Sequence, residues 1–339
     1  MKISLLPLAA LALPATALAI PLTALAQASS GSEQTSSADR ARSNSLSVTL
    51  PDGITASMLG KRDAQMIAVQ TMLDRSRHSP GVVDGYGGGN TRRAIDAYRR
   101  ANGLGSGGNV DGDLLRSLLD TQGGDVFQTY TISSEDVNRS WTDVPADFEA
   151  KAELDSLGYE SAQEMLAERF HMDADFLAAL NPGVDFSRAG QTINVIAKGD
   201  ETLNADVARI EIRKGQNSVV AMDASGKIVA SYPATIGSGE FPSPSGSMTV
   251  VAVAPAPKYY FSPEGREWGP DRNLTIAAGP NNPVGGTWID LSKEGYGIHG
   301  SPDPKMVGKR NSHGCVRLTN WDAEELSKAV SQGVTVVFT

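Results

Sequence analysis

The stretch that decides the fold is Ser312-His313-Gly314-Cys315-Val316-Arg317-Leu318, which holds the only cysteine of the 339-residue chain. Another histidine lies 16 positions before it, in Ile298-His299-Gly300. A thiol attacks carbonyl groups as its thiolate, and a neighbouring imidazole can take the proton. A lone cysteine is commonly a small buried core residue. Two of the chain's four histidines accompany this one, however, and the pattern predicts a nucleophile.

Glycine precedes the cysteine, so backbone amides can face a bound carbonyl without side-chain obstruction. In this interpretation Cys315 attacks while His299 accepts its proton, and the N–H groups of Gly314 and Cys315 hold the developing oxyanion. Residue order alone does not say whether His299 or His313 is the base. A catalytic zinc ion held by these three side chains is the alternative. No paired-ligand spacing supports it, and we expect no metal and no cofactor.

The first 26 residues read as a secretory signal peptide, with Lys2 before an apolar run and Ala24-Leu25-Ala26 as the cleavage site. An uncleaved membrane anchor is the alternative, but Pro7, Pro14 and Pro21 favour a cleaved signal. No later stretch approaches a membrane-spanning apolar run, so we expect no membrane span after cleavage. The protein is therefore predicted to be exported, to the periplasm or the cell wall.

The charge balance is 30 basic against 39 acidic side chains, without a basic run. Nucleic acid is therefore an unsuitable partner. One cysteine permits no intramolecular disulfide, so the domains must be held together by packing.

Three regions precede the motif. Residues 27–49 are rich in Ser, Ala, Gln and Gly and predict a disordered linker. Residues 50–122 predict a small three-helix domain, with Asn90 or Thr91 capping the second helix and His78 in a solvated loop. Residues 125–200 predict a strand, two short helices and a second strand, in which His171 has a structural role.

From residue 205 to 339 the sequence consists of short segments in which apolar and polar residues alternate, separated by Gly and Pro. This pattern predicts a mostly β domain, a sandwich or barrel. One helix follows, capped by Thr319. Residues 254–286 carry few strand signals, and a loop that long is usually functional, such as a lid over a site. The predicted strands are 208–213, 219–223, 227–232, 248–252, 287–291 and 334–338.

Four ordered motifs make residues 205–339 resemble the catalytic domain of the L,D-transpeptidases, the YkuD-type fold. They are Pro242-Ser243-Pro244-Ser245-Gly246, Asn282-Pro283-Val284-Gly285, the His299-Gly300 pair and the cysteine motif. Residues 50–122 resemble the peptidoglycan-binding domain family, and 125–200 resemble a LysM module. About 30 residues separate the first strand and first helix of that module, where LysM has a short turn.

The resemblance implies a role for each residue of the motif. Cys315 is the nucleophile and His299 the general base, and His313 supports and shapes the site beside the nucleophile. Ser312 contributes a hydroxyl hydrogen bond. Arg317 meets a substrate carboxylate or forms a structural salt bridge, and Tyr296 lines the cleft or fills the core.

The implied reaction is attack on the bond between a diamino acid and the terminal D-Ala of a peptidoglycan tetrapeptide stem. A thioester forms and passes to an amine of a second stem, giving a 3→3 cross-link. Water, another D-amino acid or the lysine of a wall protein are alternative acceptors, and a non-catalytic wall-binding protein is the alternative of another class. Peptide stems and glycan are the implied partners, and carbapenems the implied covalent inhibitors.

Overall fold

The computed structural model of this chain describes residues 45–200, 202–237, 239, 242–264, 269–312 and 314–339. The predicted signal peptide, most of the predicted linker and His313 lie outside the described residues. Among those residues, no helix is both long and apolar enough to cross a membrane.

The first part of the structure is a three-helix unit, as the sequence predicted. Asp63 and Asp111 accept hydrogen bonds from the backbone N–H three residues later and so cap the first and third helices. Leu46 and Val48, from the end of the predicted linker, pack against the helical core. The helices are α1 (Ala64–Arg75), α2 (Gly89–Ala101) and α3 (Gly112–Gln122).

The cap prediction for α2 is wrong. Gly88 occupies the N-cap without a side-chain hydrogen bond. Asn90 is buried, and its Nδ2 donates to the Val307 carbonyl of the β-rich part at 2.9 Å. The side chain that could have capped the helix therefore joins two parts of the molecule.

The second part consists of one pair of antiparallel strands and the four helices between them in the chain. Phe176, Leu177, Ile193 and Val195 are buried in its core, which also takes Ile67 and Val83 of the helical unit. The LysM resemblance remains a prediction. The elements are β1 (Phe127–Thr131), α4 (Ser134–Val137), α5 (Phe148–Ala152), α6 (Ala162–Arg169), α7 (Ala174–Ala179) and β2 (Thr192–Ile196).

The third part is one curled eight-stranded sheet with one C-terminal helix, which confirms the predicted mostly β domain. The sheet is built from β3 (Arg209–Arg213), β4 (Ser218–Met222), β5 (Ile228–Pro233), β6 (Gly246–Pro255), β9 (Thr287–Leu291), β10 (Gly297–His299), β11 (Val316–Arg317) and β12 (Thr335–Phe338). The strand order across the sheet is β11-β10-β9-β6-β12-β3-β4-β5. Helix α8 (Asn320–Ala329) is capped by Thr319, as predicted.

The ten-residue strand β6 joins the two halves of this sheet. Its first residues pair with β12 and its last with β9, and the register shifts between Val250 and Ala252. Such an irregularity bends a strand, which lets side chains from both halves enter one hydrophobic core together with Ala323 and Leu326 of α8. The predicted lid, 254–286, contains a separate hairpin of β7 (Tyr259–Phe261) and β8 (Leu274–Ile276).

The helical unit interlocks with the β-rich part through buried polar contacts. His78 was expected in solvent, but it is 3% exposed and its Nδ1 lies 3.0 Å from Ser231 Oγ. Burial lowers the pKa of His78 to about 3. Ser79 Oγ donates to Asp322 Oδ2 at 3.0 Å, and Arg77 pairs with Glu325 at 2.8 Å.

The second part also contacts the β-rich part. Asn320 Nδ2 donates to Glu168 Oε2 at 3.0 Å, and Lys305 pairs with Asp173 at 2.8 Å. His171 Nδ1 lies 2.9 Å from Asp74 Oδ1, and its ring stacks on Trp321. His171 thus has the structural role that the sequence predicted.

Candidate active site

Two short strands bring the candidate nucleophile and base to one face of the sheet. β10 and β11 run parallel, with Ile298 opposite Val316 and His299 opposite Arg317. Side chains alternate along a strand, so Ile298 and Val316 point into the core, where both are fully buried. His299 and Arg317 point the other way, and Cys315 lies two residues before Arg317 on that same side.

A cleft of about 940 Å³ lies over this face, and Cys315, His299, Arg317 and Tyr296 all line it. The cysteine is half-buried, and its Sγ lies 3.6 Å from the Gly295 carbonyl oxygen, to which the thiol donates. The nucleophile candidate thus lines the cleft instead of being buried in the core. Tyr296 lies in the cleft, the first of the two roles expected for it.

The environment of His299 keeps its imidazole neutral. Burial, with the nearby positive charge of Arg317 as the next cause, lowers the pKa of His299 to about 3, although the carbonyls of Gly300 and Val284 act in the opposite direction. Nδ1 lies 2.7 Å from the Gly300 carbonyl oxygen. Because a carbonyl only accepts, Nδ1 carries the proton in this contact, and Nε2 of the neutral ring is left as a proton acceptor.

Trp288 orients this ring, a function that the sequence analysis missed. The indole stacks on the His299 imidazole with centroids 5.4 Å apart and planes 19° from parallel, and its Nε1 donates to Asp290 Oδ1 at 3.2 Å. A Cβ on Gly297 would lie 2.4 Å from the indole. The glycine in Tyr296-Gly297-Ile298 was the available sequence signal, since it lets an aromatic ring lie against the strand.

The loop before Cys315 is braced from inside by Ser312. Its Oγ donates to the Cys315 carbonyl at 2.6 Å and accepts the Gly314 N–H at 3.2 Å. Gly314 has a φ of +119°, a conformation that favours glycine. The Gly314 N–H, expected to face an oxyanion, therefore donates to Ser312 in this structure, and an oxyanion would have to displace that contact.

Arg317 extends the positive side of the cleft. Its pKa is lowered by burial, opposed by the nearby Cys315 and Tyr259. Its Nε is buried and has no hydrogen-bond partner among the described residues. The same residues give Arg317 no carboxylate within salt-bridge distance, which leaves a guanidinium suited to an anion in the cleft.

The described residues contain no cluster of three or more His, Cys, Asp and Glu side chains arranged to hold a metal ion. The third histidine of the predicted site, His313, lies outside the described residues, and its role stays a prediction. What the described side chains can do is acyl transfer, since a thiol, a neutral imidazole and a guanidinium share one cleft.

Two regions of the chain match known domain families. Residues 207–338 match the family described as "L,D-transpeptidase catalytic domain". Residues 62–118 match the family described as "Putative peptidoglycan binding domain". The first region contains the whole eight-stranded sheet and the second contains helices α1, α2 and most of α3.

Individual proteins are similar over about half of the chain. A Bacillus licheniformis protein named "Putative L,D-transpeptidase YkuD" is 26% identical over 176 residues, which is 52% of this chain and 92% of the relative. The Escherichia coli K12 protein "Probable L,D-transpeptidase YbiS" is 28% identical over 191 residues, 52% of this chain and 59% of the relative. A solved structure of an L,D-transpeptidase from Mycobacterium smegmatis aligns with 43% of this chain and 63% of its own, at 19% identity and a TM-score of 0.34.

Proposed function

We propose that the protein cross-links peptidoglycan peptide stems through a cysteine acyl-enzyme. The proposal starts from residues 207–338, which match the L,D-transpeptidase catalytic domain family, and from residues 62–118, which match a peptidoglycan-binding domain family. One observation carries the proposal. The parallel pairing of β10 with β11 puts His299 and Arg317 on the face that Cys315 shares, under a single cleft. A structural cysteine would instead be buried in the core.

In the first half-reaction Cys315 Sγ attacks the carbonyl carbon between the diamino acid and the terminal D-Ala. The thiol proton passes to His299 Nε2, which is the unprotonated nitrogen of the neutral ring. The carbonyls of Gly300 and Val284 favour the charged ring, so they stabilise the imidazolium that forms. When the tetrahedral intermediate collapses, the C–N bond breaks, D-Ala takes the proton from His299 as its amine leaves, and a thioester remains on Cys315.

In the second half-reaction an acceptor amine attacks the thioester carbonyl. His299 takes a proton from that amine, the C–S bond breaks and the thiolate of Cys315 recovers the proton. A diamino acid side chain of a second stem as acceptor gives the 3→3 cross-link. Water as acceptor gives a tripeptide, and the lysine of a wall protein gives a covalent attachment.

Substrate binding in this proposal uses the positive side of the cleft. The Arg317 guanidinium presents a buried Nε and lies near Cys315. A carboxylate of the stem could accept two parallel hydrogen bonds from this guanidinium, as in bidentate arginine–carboxylate contacts. Ser312 and Gly314 shape the loop that carries the nucleophile, and His313 is proposed to support it.

The predicted signal peptide and the peptidoglycan-binding-type domain together support an exported protein that works at the cell wall, in the periplasm or outside it. Glycan and peptide stems are then its partners. Carbapenems are the proposed covalent inhibitors, because an activated thiolate opens their strained lactam ring in the same way as it attacks the amide.

Product analysis tests the proposal. The full mature chain is incubated with a purified disaccharide tetrapeptide, and products are separated by mass. We expect a cross-linked dimer and free D-Ala, and neither product with Cys315→Ala. A tripeptide in place of the dimer would assign a carboxypeptidase, while product from Cys315→Ala would refute the acyl-enzyme.

A second test looks for the adduct itself. Intact-protein mass after exposure to a carbapenem should increase by one inhibitor, located on the peptide that contains Cys315. A wild-type protein that stays unmodified, while its thiol still reacts with iodoacetamide, would count against an activated acyl-transfer site.

A further inference from the structure

The segment between β1 and α6 reaches the catalytic cleft. This segment, residues 132–161, is the stretch that is too long for a LysM module. Phe148, at the start of α5, lines the same cleft as Cys315 and His299. One wall of the catalytic cleft therefore comes from the second part of the chain, outside the matched catalytic domain.

Phe148 is held in place by the hairpin of the predicted lid. Its ring stacks on Phe261 with centroids 5.6 Å apart and packs at a tilt of 31° against Tyr259, with centroids 5.9 Å apart. Phe261 is buried, whereas Tyr260 between the two is 71% exposed beside the cleft. Phe148 and Tyr259, which both line the cleft, form an aromatic surface that we term the aromatic wall.

Backbone contacts fix the segment against the lid at a second point. The Leu157 N–H donates to the Ala278 carbonyl and the Leu157 carbonyl accepts the Asn281 N–H, both at 3.0 Å. Gly279 passes so close that a Cβ there would lie 2.0 Å from the Leu157 oxygen. Asn281 Nδ2 also donates to the Gly158 carbonyl at 2.9 Å. These hydrogen bonds hold the segment that carries Phe148 against the predicted lid.

The cleft combines apolar and charged side chains. Ala252, Ala254 and Pro257 line it together with the aromatic wall, and its charged lining residues are Arg317, Lys258, Glu264, Asp290 and Glu294. A peptide stem carries both kinds of group, with carboxylates along its backbone and a methylene chain on its diamino acid. Aromatic faces bind such a chain by removing apolar surface from water.

We propose that Phe148 is a specificity-determining residue, which contacts the aliphatic side chain of the diamino acid in a bound stem. The second part of the chain then selects the substrate of the catalytic domain in addition to any binding of glycan. This inference rests on the proposed function, and it concerns binding, so that it can be measured without turnover.

The test measures stem binding in the full mature chain with Cys315→Ala, which prevents acylation. Two synthetic tetrapeptides are compared, one with lysine at the third position and one with alanine there. Phe148→Ala should raise the Kd for the lysine peptide about tenfold, as removal of one buried aromatic contact does, and the Kd for the alanine peptide less than about twofold. Phe148→Leu should give an intermediate loss.

Phe186→Ala is the matched control, since Phe186 is a buried ring of the same part of the chain that does not line the cleft. It should lower thermal stability and leave both Kd values unchanged. Equal weakening of both peptides by Phe148→Ala, no weakening of either, or the same selective loss in Phe186→Ala would each overturn the proposal. If the proposed function is wrong and the binding proposal is right, the wild-type protein would bind the lysine peptide but release no D-Ala from it. The two failures can therefore be told apart.

Discussion

Ser243 Oγ donates a 2.6 Å hydrogen bond to the carbonyl of Gly314, the residue directly before the nucleophile candidate. The same hydroxyl accepts the Gly237 N–H at 2.9 Å, and its residue is 5% exposed. Through Ser243, the Pro-Ser-Pro-Ser-Gly motif noted in the sequence therefore links the nucleophile loop at Gly314 to the backbone at Gly237.

Ser243→Ala should lower kcat/KM for the stem by about ten- to a hundredfold, because a buried carbonyl and a partly buried N–H both lose their partner and the loop shifts. Ser245→Ala is the control, since the exposed Ser245 Oγ accepts a hydrogen bond from the Lys214 ammonium at 2.8 Å. Steady-state kinetics on both variants decide the matter. Equal activities in the two would show that Ser243 does not position the loop.

Gly314→Ala should abolish most activity, by a hundredfold or more, because alanine is strained at a φ of +119° and its Cβ would lie 3.3 Å from Tyr296 Cε1. The thiol should stay reactive towards iodoacetamide, since the cysteine itself is retained. Gly215→Ala, at a glycine with no atoms near its Cβ position, should be unchanged. A fully active Gly314→Ala enzyme would contradict the need for this loop conformation.

Glu168→Gln should change how stability depends on pH. Burial raises the pKa of Glu168 from 4.5 to about 8, so the folded protein keeps a proton that the unfolded chain releases above about pH 4.5. The free energy of unfolding of the wild type should therefore fall as pH rises from 4.5 to 8, by up to about 1.4 kcal/mol per pH unit.

The glutamine variant lacks this titration and should lose less stability over the same window. Urea unfolding at pH 5, 6.5 and 8 measures the difference between the two proteins. A difference that stays constant across the three pH values would mean that Glu168 is ionised in the folded protein.

His78→Asn should have an effect of the opposite sign. The pKa of His78 is lowered from 6.5 to about 3 by burial. Between pH 6.5 and 3, His78 is therefore protonated in the unfolded chain and neutral in the folded protein. Wild-type stability should fall as pH decreases below 6.5, by up to about 1.4 kcal/mol per pH unit, and less so in the variant. Parallel losses in both proteins between pH 7 and 4 would refute a neutral buried His78.

Much of the fold was predictable because its signals are local. Strands β3, β4, β5, β6, β9 and β12 are long enough to show alternation, and the Thr319 cap is readable from the residues after it. The short strands β7, β8 and β11 were missed, since two or three residues show no alternation. The position of the nucleophile nevertheless depends on β11 and its pairing with β10.

The candidate site was predictable as far as its residues stand in motifs, as Cys315, Ser312 and Gly314 do. Trp288 was missed because its contact with His299 arises from the pairing of β9 with β10. His78 and Asn90 were misplaced because their partners, Ser231 and Val307, lie more than a hundred positions away. No local pattern marks Phe148 as part of a cleft built by another segment.

The buried contacts of Ser79 with Asp322 and of Asn320 with Glu168 have a mechanical consequence. A flexible linker would let the catalytic domain move over a wide area around the bound domain. Domains joined by internal polar contacts cannot move separately in this way. If the helical unit binds the glycan, the Cys315 thiol lies at a fixed distance from the bound glycan chain. The protein would then act only on peptide stems that lie at that distance from the glycan it binds.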